Sequence, residues 1–430
     1  MPGSDPRFPG GDTTGFDRSL NAFNKLAKNT QDQDRILKFG KGNKVFKAVW
    51  SENSEGEFSG LGPFFQSSSC NGCHFLSGRG KRKVGFETKF SSAIFKIGTN
   101  ENFSSTLQHP IYGNQIQENS TSPQILPKAK PEVSYQTITG QFPDGEPYQL
   151  EKPILSVRDW NYGDPGNYVA SMRVAPFLIG LGLLSAIREE DLKKWEDPDD
   201  KNGDGISGRI NWIKSTEVPK IGRFGWKASF ASVSDITINA LGEDMGILNS
   251  SFLKSNCPIS TLLCESELKP EISDSQLDDL IFYTMLIAVP VRVGIDSSSI
   301  QLGSDLFNKI GCSSCHIPQV KTGELDGYPE VSNQMIYPYT DLLLHEMGAG
   351  LADPFSEGSA GGSEWRTPPL WGMGLIPLVN QHEFLLHDGR ARNITEAILW
   401  HGGEAEGSKN KFIHLSSDER KALIQFLNSL

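Results

Sequence analysis

The sequence predicts a mainly α protein made of two repeated units, the first interrupted by a β-hairpin. Three observations carry that reading. Two frames of one pattern, Cys70-Asn71-Gly72-Cys73-His74 and Cys312-Ser313-Ser314-Cys315-His316, stand far apart in a chain of 430 residues. Similar segments surround the two frames in the same order. Each half also ends in an apolar pattern of helical period that follows a capping serine.

The elements follow in order. Residues 1–20 are rich in Gly, Pro and Asp and are expected to be poorly ordered. The first unit is assigned to residues 21–295 and the second to 296–430, with a boundary near Pro290–Ser299. Leu61-Gly62-Pro63-Phe64-Phe65 places Phe65 five positions before Cys70. Leu302-Gly303-Ser304-Asp305-Leu306-Phe307 places Phe307 five positions before Cys312. Between Gly85 and Val157 the period changes. There Val133–Ile138 and Tyr148–Leu150 flank a turn holding Pro143-Asp144-Gly145, which reads as a hairpin inserted into a helical unit. Arg173–Leu183 is similar to Arg366–Leu375. One helix is expected from Ser273-Asp274, with Leu277, Leu280, Ile281, Thr284 and Met285 on one side and Pro290 as its stop. Its counterpart starts near Ser417-Asp418 and carries Leu423, Phe426, Leu427 and Leu430.

Composition narrows the function. With 41 Lys+Arg against 52 Asp+Glu the net charge is −11, which argues against nucleic acid as a partner. The 44 glycines and 25 prolines imply many turns and long ordered loops. The most apolar stretches, Ala175–Ile187 and Ile281–Val291, fall short of the ~20 residues that span a bilayer, so no membrane span is expected. Met1–Asp5 shows no signal-peptide pattern. The chain therefore reads as either cytosolic or the mature part of an exported protein, and the cysteines favour the second.

C-x-x-C-H is the attachment signature of c-type haem. Two thiols three positions apart add to the vinyl groups on one edge of a porphyrin, and the next histidine lies under the iron. On this reading Cys70, Cys73, Cys312 and Cys315 hold two haems, and His74 and His316 are axial ligands. A redox dithiol or a zinc site is the alternative. A zinc ribbon needs no histidine after either pair, whereas both pairs here have one. Covalent haem attachment belongs to exported cytochromes, so a periplasmic or otherwise exported location is expected, with two cytochrome-c-like haem domains. Cys257 and Cys264 bracket a short loop that a disulfide could close; two free thiols are the other reading.

These frames, with the repeat, resemble the bacterial di-haem cytochrome c peroxidase superfamily, and within it the di-haem oxidoreductase family. Similar segments are Ser69–Gly80, His109–Gln117, Arg173–Ile187, Asp200–Arg209, Arg223–Ala228, Asp244–Ile247, Gly311–Pro318, Leu342–Asp353, Trp365–Gly372 and Leu386–Ala405. The most specific are His387-Asp388-Gly389-Arg390-Ala391 and Trp400-His401-Gly402-Gly403.

In the peroxidases a sixth ligand, usually Met, follows an aromatic-His-x-Gly motif by fourteen residues. Here Leu386 replaces the aromatic, and the count from His387 reaches His401. The resemblance thus implies that His401 completes the second haem opposite His316, with Met347 as its rival. Histidine in place of Met lowers a haem's potential, which departs from a high-potential electron store. For the far side of the first haem the candidates are His109, Tyr112, Gln115 and Met245. A peroxidase also needs an acid–base group there. Arg173, Arg366, Trp371, His387 and Arg390 are expected around the haem pockets.

Asp200, Asn202 and Asp204, with Gly205 after them, have the alternate oxygen spacing of a calcium loop, but Asn211 stands where a bidentate Glu would close it. Bound Ca²⁺ and a plain acidic turn remain the two readings. The implied activity is that of a peroxide-dependent oxidoreductase whose N-terminal haem reacts and whose C-terminal haem transfers electrons. Its partners would be a small redox protein or other donor, with peroxide or O₂ as oxidant. The alternatives are a non-catalytic di-haem electron carrier, or an oxygenase or protein-modifying oxidant using high-valent haem.

Overall fold

In a computed structural model, which describes residues 5–52, 55–86, 92–100, 106–215, 218–258 and 269–430, two crossed helix pairs frame the molecule. The helices are α1 (Gln33–Lys47), α2 (Val233–Met245), α3 (Asp274–Met285), α4 (Ser298–Lys309) and α5 (Ser417–Ser429). Helix α1 packs on α3 and α4 packs on α5. Both crossings pivot on a glycine. A Cβ on Gly42 would overlap the Asp279 carbonyl and lie 2.6 Å from Tyr283 Cβ; one on Gly303 would overlap the Ala422 carbonyl and lie 2.6 Å from Phe426 Cβ. Four residues after each glycine an aromatic, Phe46 or Phe307, is buried. Each such ring contributes about 2 kcal/mol by leaving water.

This pairing corrects the register of the repeat. The counterpart of Leu302–Phe307 is not Leu61–Phe65, where Phe64–Phe65 form a short strand. It is the Gly42–Phe46 stretch of α1, separated from the first cysteine frame by an inserted segment.

The start of α3 is the one its serine predicts, while α5 is capped one residue earlier than the expected Ser417. Ser273 caps α3 and Ser416 caps α5, each in a reciprocal capping box with Gln276 or Glu419. Helix α3 ends at Met285, well before Pro290.

The strands are β1 (Ala93–Asn100), β2 (Thr106–Gln108), β3 (Gln115–Ile116), β4 (Lys130–Gln141), β5 (Pro147–Arg158) and β6 (Val169–Val174). The expected hairpin is β4–β5, antiparallel with Ile138 opposite Leu150 and Gln141 opposite Pro147. Its turn reaches the second half: Arg420 of α5 pairs with Asp144 and Glu146 across 2.6 and 2.7 Å. A second sheet was not foreseen. β1 lies at its centre, with β6 along one edge and β2 and β3 along the other. Alternate residues Ala93, Phe95 and Ile97 of β1 are fully buried against Tyr112, Ile116 and Met172.

The mainly α expectation is therefore overturned. The chain is 31% helix and 20% strand in several small sheets, a mixed α/β fold. The physical reason is the range of the pairing. β1 and β6 are antiparallel partners from Ala93–Val174 to Gly98–Val169, and no local period reveals a partner so distant in sequence.

Residues 5–20 are also better placed than their composition suggests. The Gly15 amide donates to the Val289 carbonyl (2.9 Å), the Tyr337 amide to the Pro9 carbonyl (2.8 Å), and Thr13 and Thr14 are buried. Among the described residues no helix is long and apolar enough to cross a membrane.

Candidate functional site

One continuous cavity of about 420 Å³ reaches both cysteine frames. At one end it is lined by Cys70, Cys73 and His74; at the other by Cys312, Cys315 and His316. Ser69 caps the single turn Cys70–Cys73 by accepting from the Gly72 amide, so the two thiols project from one helical turn. Gly311, left-handed at φ 96°, turns the chain from α4 into the second frame. The four thiols are unlinked. Burial pushes Cys70, Cys73 and Cys312 up to about 12 and raises Cys315 as well, the reverse of what a reactive dithiol requires.

Three of the histidines on the cavity share one orientation device. Nδ1 of His74 is 2.7 Å from the Pro176 carbonyl, Nδ1 of His316 is 2.9 Å from that of Tyr339, and Nδ1 of His401 is 2.7 Å from that of Ala397. Each carbonyl fixes the proton on Nδ1 and leaves Nε2 free as a lone-pair donor. Desolvation lowers His74 and His316 to about 4 and lowers His401 too, so all three are neutral imidazoles. His401 and His316 are within electrostatic reach, so protonating one would further disfavour protonating the other.

Opposite groups at the Cys70 end differ. Gln115, Asp244 and Met245 line the cavity there. Asp244 is near enough to Cys70 and Cys73 to influence both. Burial raises its carboxyl to about 6, although the Gln115 amide opposes this. Gln115 is 2% exposed, and its Nε2 meets no acceptor in good hydrogen-bond geometry. Asp244 and Gln115 are thus paired by the fold, from α2 and β3. Sequence reasoning named Gln115 and Met245 but missed Asp244, whose only signal was its place in the similar segment Asp244–Ile247.

His109 and Tyr112 do not line the cavity. His109 spends Nε2 on the Pro165 carbonyl (2.9 Å) and Nδ1 on the amides of Ile111 and Tyr112, while the Tyr112 hydroxyl donates to the Gly163 carbonyl (2.6 Å). Met347 does reach the cavity.

Among the expected pocket residues, Arg173, Arg366 and His387 line the cavity. Arg366 donates to the carbonyls of Gly225 and Thr367. His387 stacks on Trp365 at 3.6 Å between ring centroids and 9° between planes. Trp371 is fully buried behind the wall, and Arg390 is held by Asp388 and lies over the Trp400 ring. Two further residues stand out. Trp226 lines the cavity, donates through Nε1 to the Val174 carbonyl (2.8 Å) and lies under Arg79. His345, which also lines it, is gripped by Asp341 (2.8 Å) and Glu404 (2.7 Å) with Cys315 Sγ 3.6 Å away.

The donor set suits two haems. Each frame offers paired thiols and a histidine with a free Nε2. The cavity wall also carries Arg79, Arg173, Arg366 and Lys96. Nε and Nη2 of Arg173 are buried without hydrogen-bond partners, although Asp353 and Glu357 pair with the guanidinium, so these two donors remain for a polar group such as a haem propionate.

The Asp200–Asp204 loop lies elsewhere, on the surface. Its oxygens serve its own backbone: Asp200 accepts from the Gly205 amide, Asn202 from that of Asp204, and Asp204 from that of Ile206. That is the acidic-turn arrangement. Cys257 is disulfide-bonded; Cys264, its expected partner, lies outside the described residues.

Comparison with known proteins supports the haem reading. Among solved structures the chain is similar to one of Kuenenia stuttgartiensis hydrazine synthase pressurised with 20 bar xenon. That match has 13% identity and a TM-score of 0.34, and covers 90% of this chain and 92% of that one. A likeness so distant carries no argument about function. No curated protein matches the chain. The model of the family described as "Di-haem oxidoreductase, putative peroxidase" matches residues 4–120 and 102–430. Matched over nearly its whole length, with both cysteine frames on one cavity, the chain belongs to the di-haem oxidoreductase family.

Proposed function

We propose that this chain is an exported di-haem c-type oxidoreductase that reduces peroxide at its N-terminal centre and receives electrons through its C-terminal one. The observation that carries the reading is the unequal far side of the two frames. His401 stands with His316 at the second frame, its Nε2 free to close the centre. At the first, the cavity offers an amide and a carboxyl, Gln115 and Asp244. With haem bound, His316 and His401 would both hold the second centre and suit it to passing electrons, whereas the first would keep room for a reactant.

When bound, the haems supply one-electron chemistry and an iron that accepts the oxidant. Solvent supplies the protons and the chain relays them. Reducing hydrogen peroxide to two waters consumes two electrons and two protons. Asp244, poised near 6, would take a proton from one peroxide oxygen and return it to the other, which leaves as the first water; the two electrons and two solvent protons then carry the remaining oxygen to the second. Gln115 Nε2 donates to the bound oxidant and fixes its orientation. Trp226, in the wall of the shared cavity, gives electrons an aromatic path between the frames. The donor is a small redox protein or a comparable reductant.

The test is turnover. Protein matured with both haems should oxidise a reduced small donor with peroxide, and its spectrum after partial reduction should contain a high-spin fraction. No turnover and wholly low-spin haem would sink the reading. One observation favours a second: Met245 also lines the first end, and its sulfur as sixth ligand would make the protein a pure electron carrier.

A further inference from the structure

We propose that a polar side pocket opening onto the Cys70 end of the cavity is the entrance and holding site for a small, neutral, polar oxidant with the chemistry of hydrogen peroxide. This rests on the reading that the first centre is open. The pocket measures about 240 Å³ and shares Lys96, Gln115, Ser229, Phe230, Asn239 and Glu357 with the main cavity. Its outer part is lined by Asn114, Gln108 and Glu243, and by Thr106 and Ser356, whose hydroxyls meet at 3.1 Å.

Three features fit that guest. The first is polarity. On its other sides the Cys70 end of the main cavity is walled by apolar residues such as Val233, Ile236 and Leu280, which offer a water-like molecule nothing. The side pocket places amides and hydroxyls between the apolar Leu107, Phe230 and Phe355.

The second is charge. Glu357 is ionised: burial opposes this, but Lys96 and Arg173 hold its carboxyl down to about 2. Those cations stand 3.4 and 3.8 Å from it. Glu243 accepts from the Asn114 amide at 3.0 Å and lies within electrostatic reach of the Lys128 ammonium. Each charge is answered locally, so the pocket does not select an ion.

The third is a poorly met donor. Gln115 Nε2, at the junction of the two spaces and 2% exposed, is near the Asp244 carboxyl but meets no acceptor in good hydrogen-bond geometry. A buried donor left so costs about 1–3 kcal/mol, which a guest bearing an oxygen lone pair would recover. The same amide that orients the oxidant at the iron thus also marks the end of its path.

Asn239 of α2 is the place to test this, since a larger side chain there narrows the junction without touching the cysteine frames. The experiment uses the haem-loaded chain and cyanide, which at neutral pH is small and uncharged, in stopped flow, alongside peroxide turnover. In Asn239→Phe both the cyanide association rate and the second-order rate with peroxide should fall about tenfold, because a narrowed gate slows entry and exit alike. The cyanide affinity and the dithionite-reduced spectrum should stay unchanged. Cyanide entering loaded Asn239→Phe at the wild-type rate would overturn the proposal. Should that variant not load, Asn239→Leu and Asn239→Ala decide: rates ordered by side-chain size support the gate, and equal rates overturn it. Wild-type protein that binds no cyanide would instead overturn the open-centre reading beneath, an outcome plainly distinct from an unchanged variant.

Discussion

His316 and His401 line one cavity with the same ring nitrogen tied to the main chain, Nδ1 to the carbonyl of Tyr339 in one and of Ala397 in the other. The two come from opposite ends of the second unit, and the fold brings them within electrostatic reach. Paired imidazoles with free Nε2 atoms are what a bis-histidine iron requires. Changing His401→Ala should convert the second haem from low to high spin. Changing His401→Met should keep it low-spin and raise its potential. Redox titration followed by absorbance and magnetic circular dichroism reads both. A second haem indifferent to either change would leave Met347 as its ligand.

Asp244 is the second test. Asp244→Asn keeps the size and removes the proton carrier, so kcat with peroxide should fall by about 10²–10⁴-fold while cyanide binding persists. The pH profile has a definite sign. The carboxyl works as a base first, so it must be ionised, and burial has raised it to about 6. Activity should therefore rise with pH through about 6, and that limb should vanish in Asp244→Asn. A variant retaining wild-type kcat and the same acid limb would place the proton chemistry on another group.

Local chemistry was legible in the sequence, and long-range geometry was not. The two C-x-x-C-H frames, the β4–β5 hairpin around Pro143-Asp144-Gly145 and the serine starts of α3 and α5 all depend on neighbours a few positions apart. The β1–β6 pairing depends on strands separated by the whole hairpin, so the strand content was underestimated. The repeat was seen but misregistered, because the segment inserted after α1 moved the true match of Phe307 from Phe65 to Phe46. Asp244 escaped for a similar reason. Nothing in Asp244-Met245-Gly246 announces an acid–base group until α2 sets it beside Gln115 and the first cysteines.

The glycine crossings give a prediction about stability. Gly42 and Gly303 let α1 meet α3 and α4 meet α5 at backbone distance, and an added methyl group would strike a carbonyl in each case. Alanine is the better helix former by about 1 kcal/mol, yet the overlap forces the helices apart. Gly42→Ala and Gly303→Ala should each cost a net of about 2–3 kcal/mol, measured by urea unfolding of the haem-loaded chain. A stabilised Gly303→Ala would mean that the α4–α5 contact is looser than the geometry indicates.

His345 supplies the last test. It is 2% exposed, yet both ring nitrogens face carboxylates, Asp341 on one side and Glu404 on the other. Burial works against its charge, but Asp341 above all, with the contacts to Cys315 and Glu404, raises it well above the ordinary histidine value of 6.5. A raised folded value means that the imidazolium stabilises the native state fully at pH below 6.5 and that this contribution fades as pH climbs through the raised value. Asp341→Asn leaves the buried cation with one partner and should cost about 3 kcal/mol at acid pH, with the deficit shrinking at alkaline pH. Adding His345→Gln to Asp341→Asn should restore much of the loss, because two neutral amides can bond each other without a stranded charge. Urea unfolding of the three proteins at both pH values reads this directly. An Asp341→Asn deficit independent of pH would show that His345 is neutral in the folded chain and that the carboxylates serve only as hydrogen-bond acceptors.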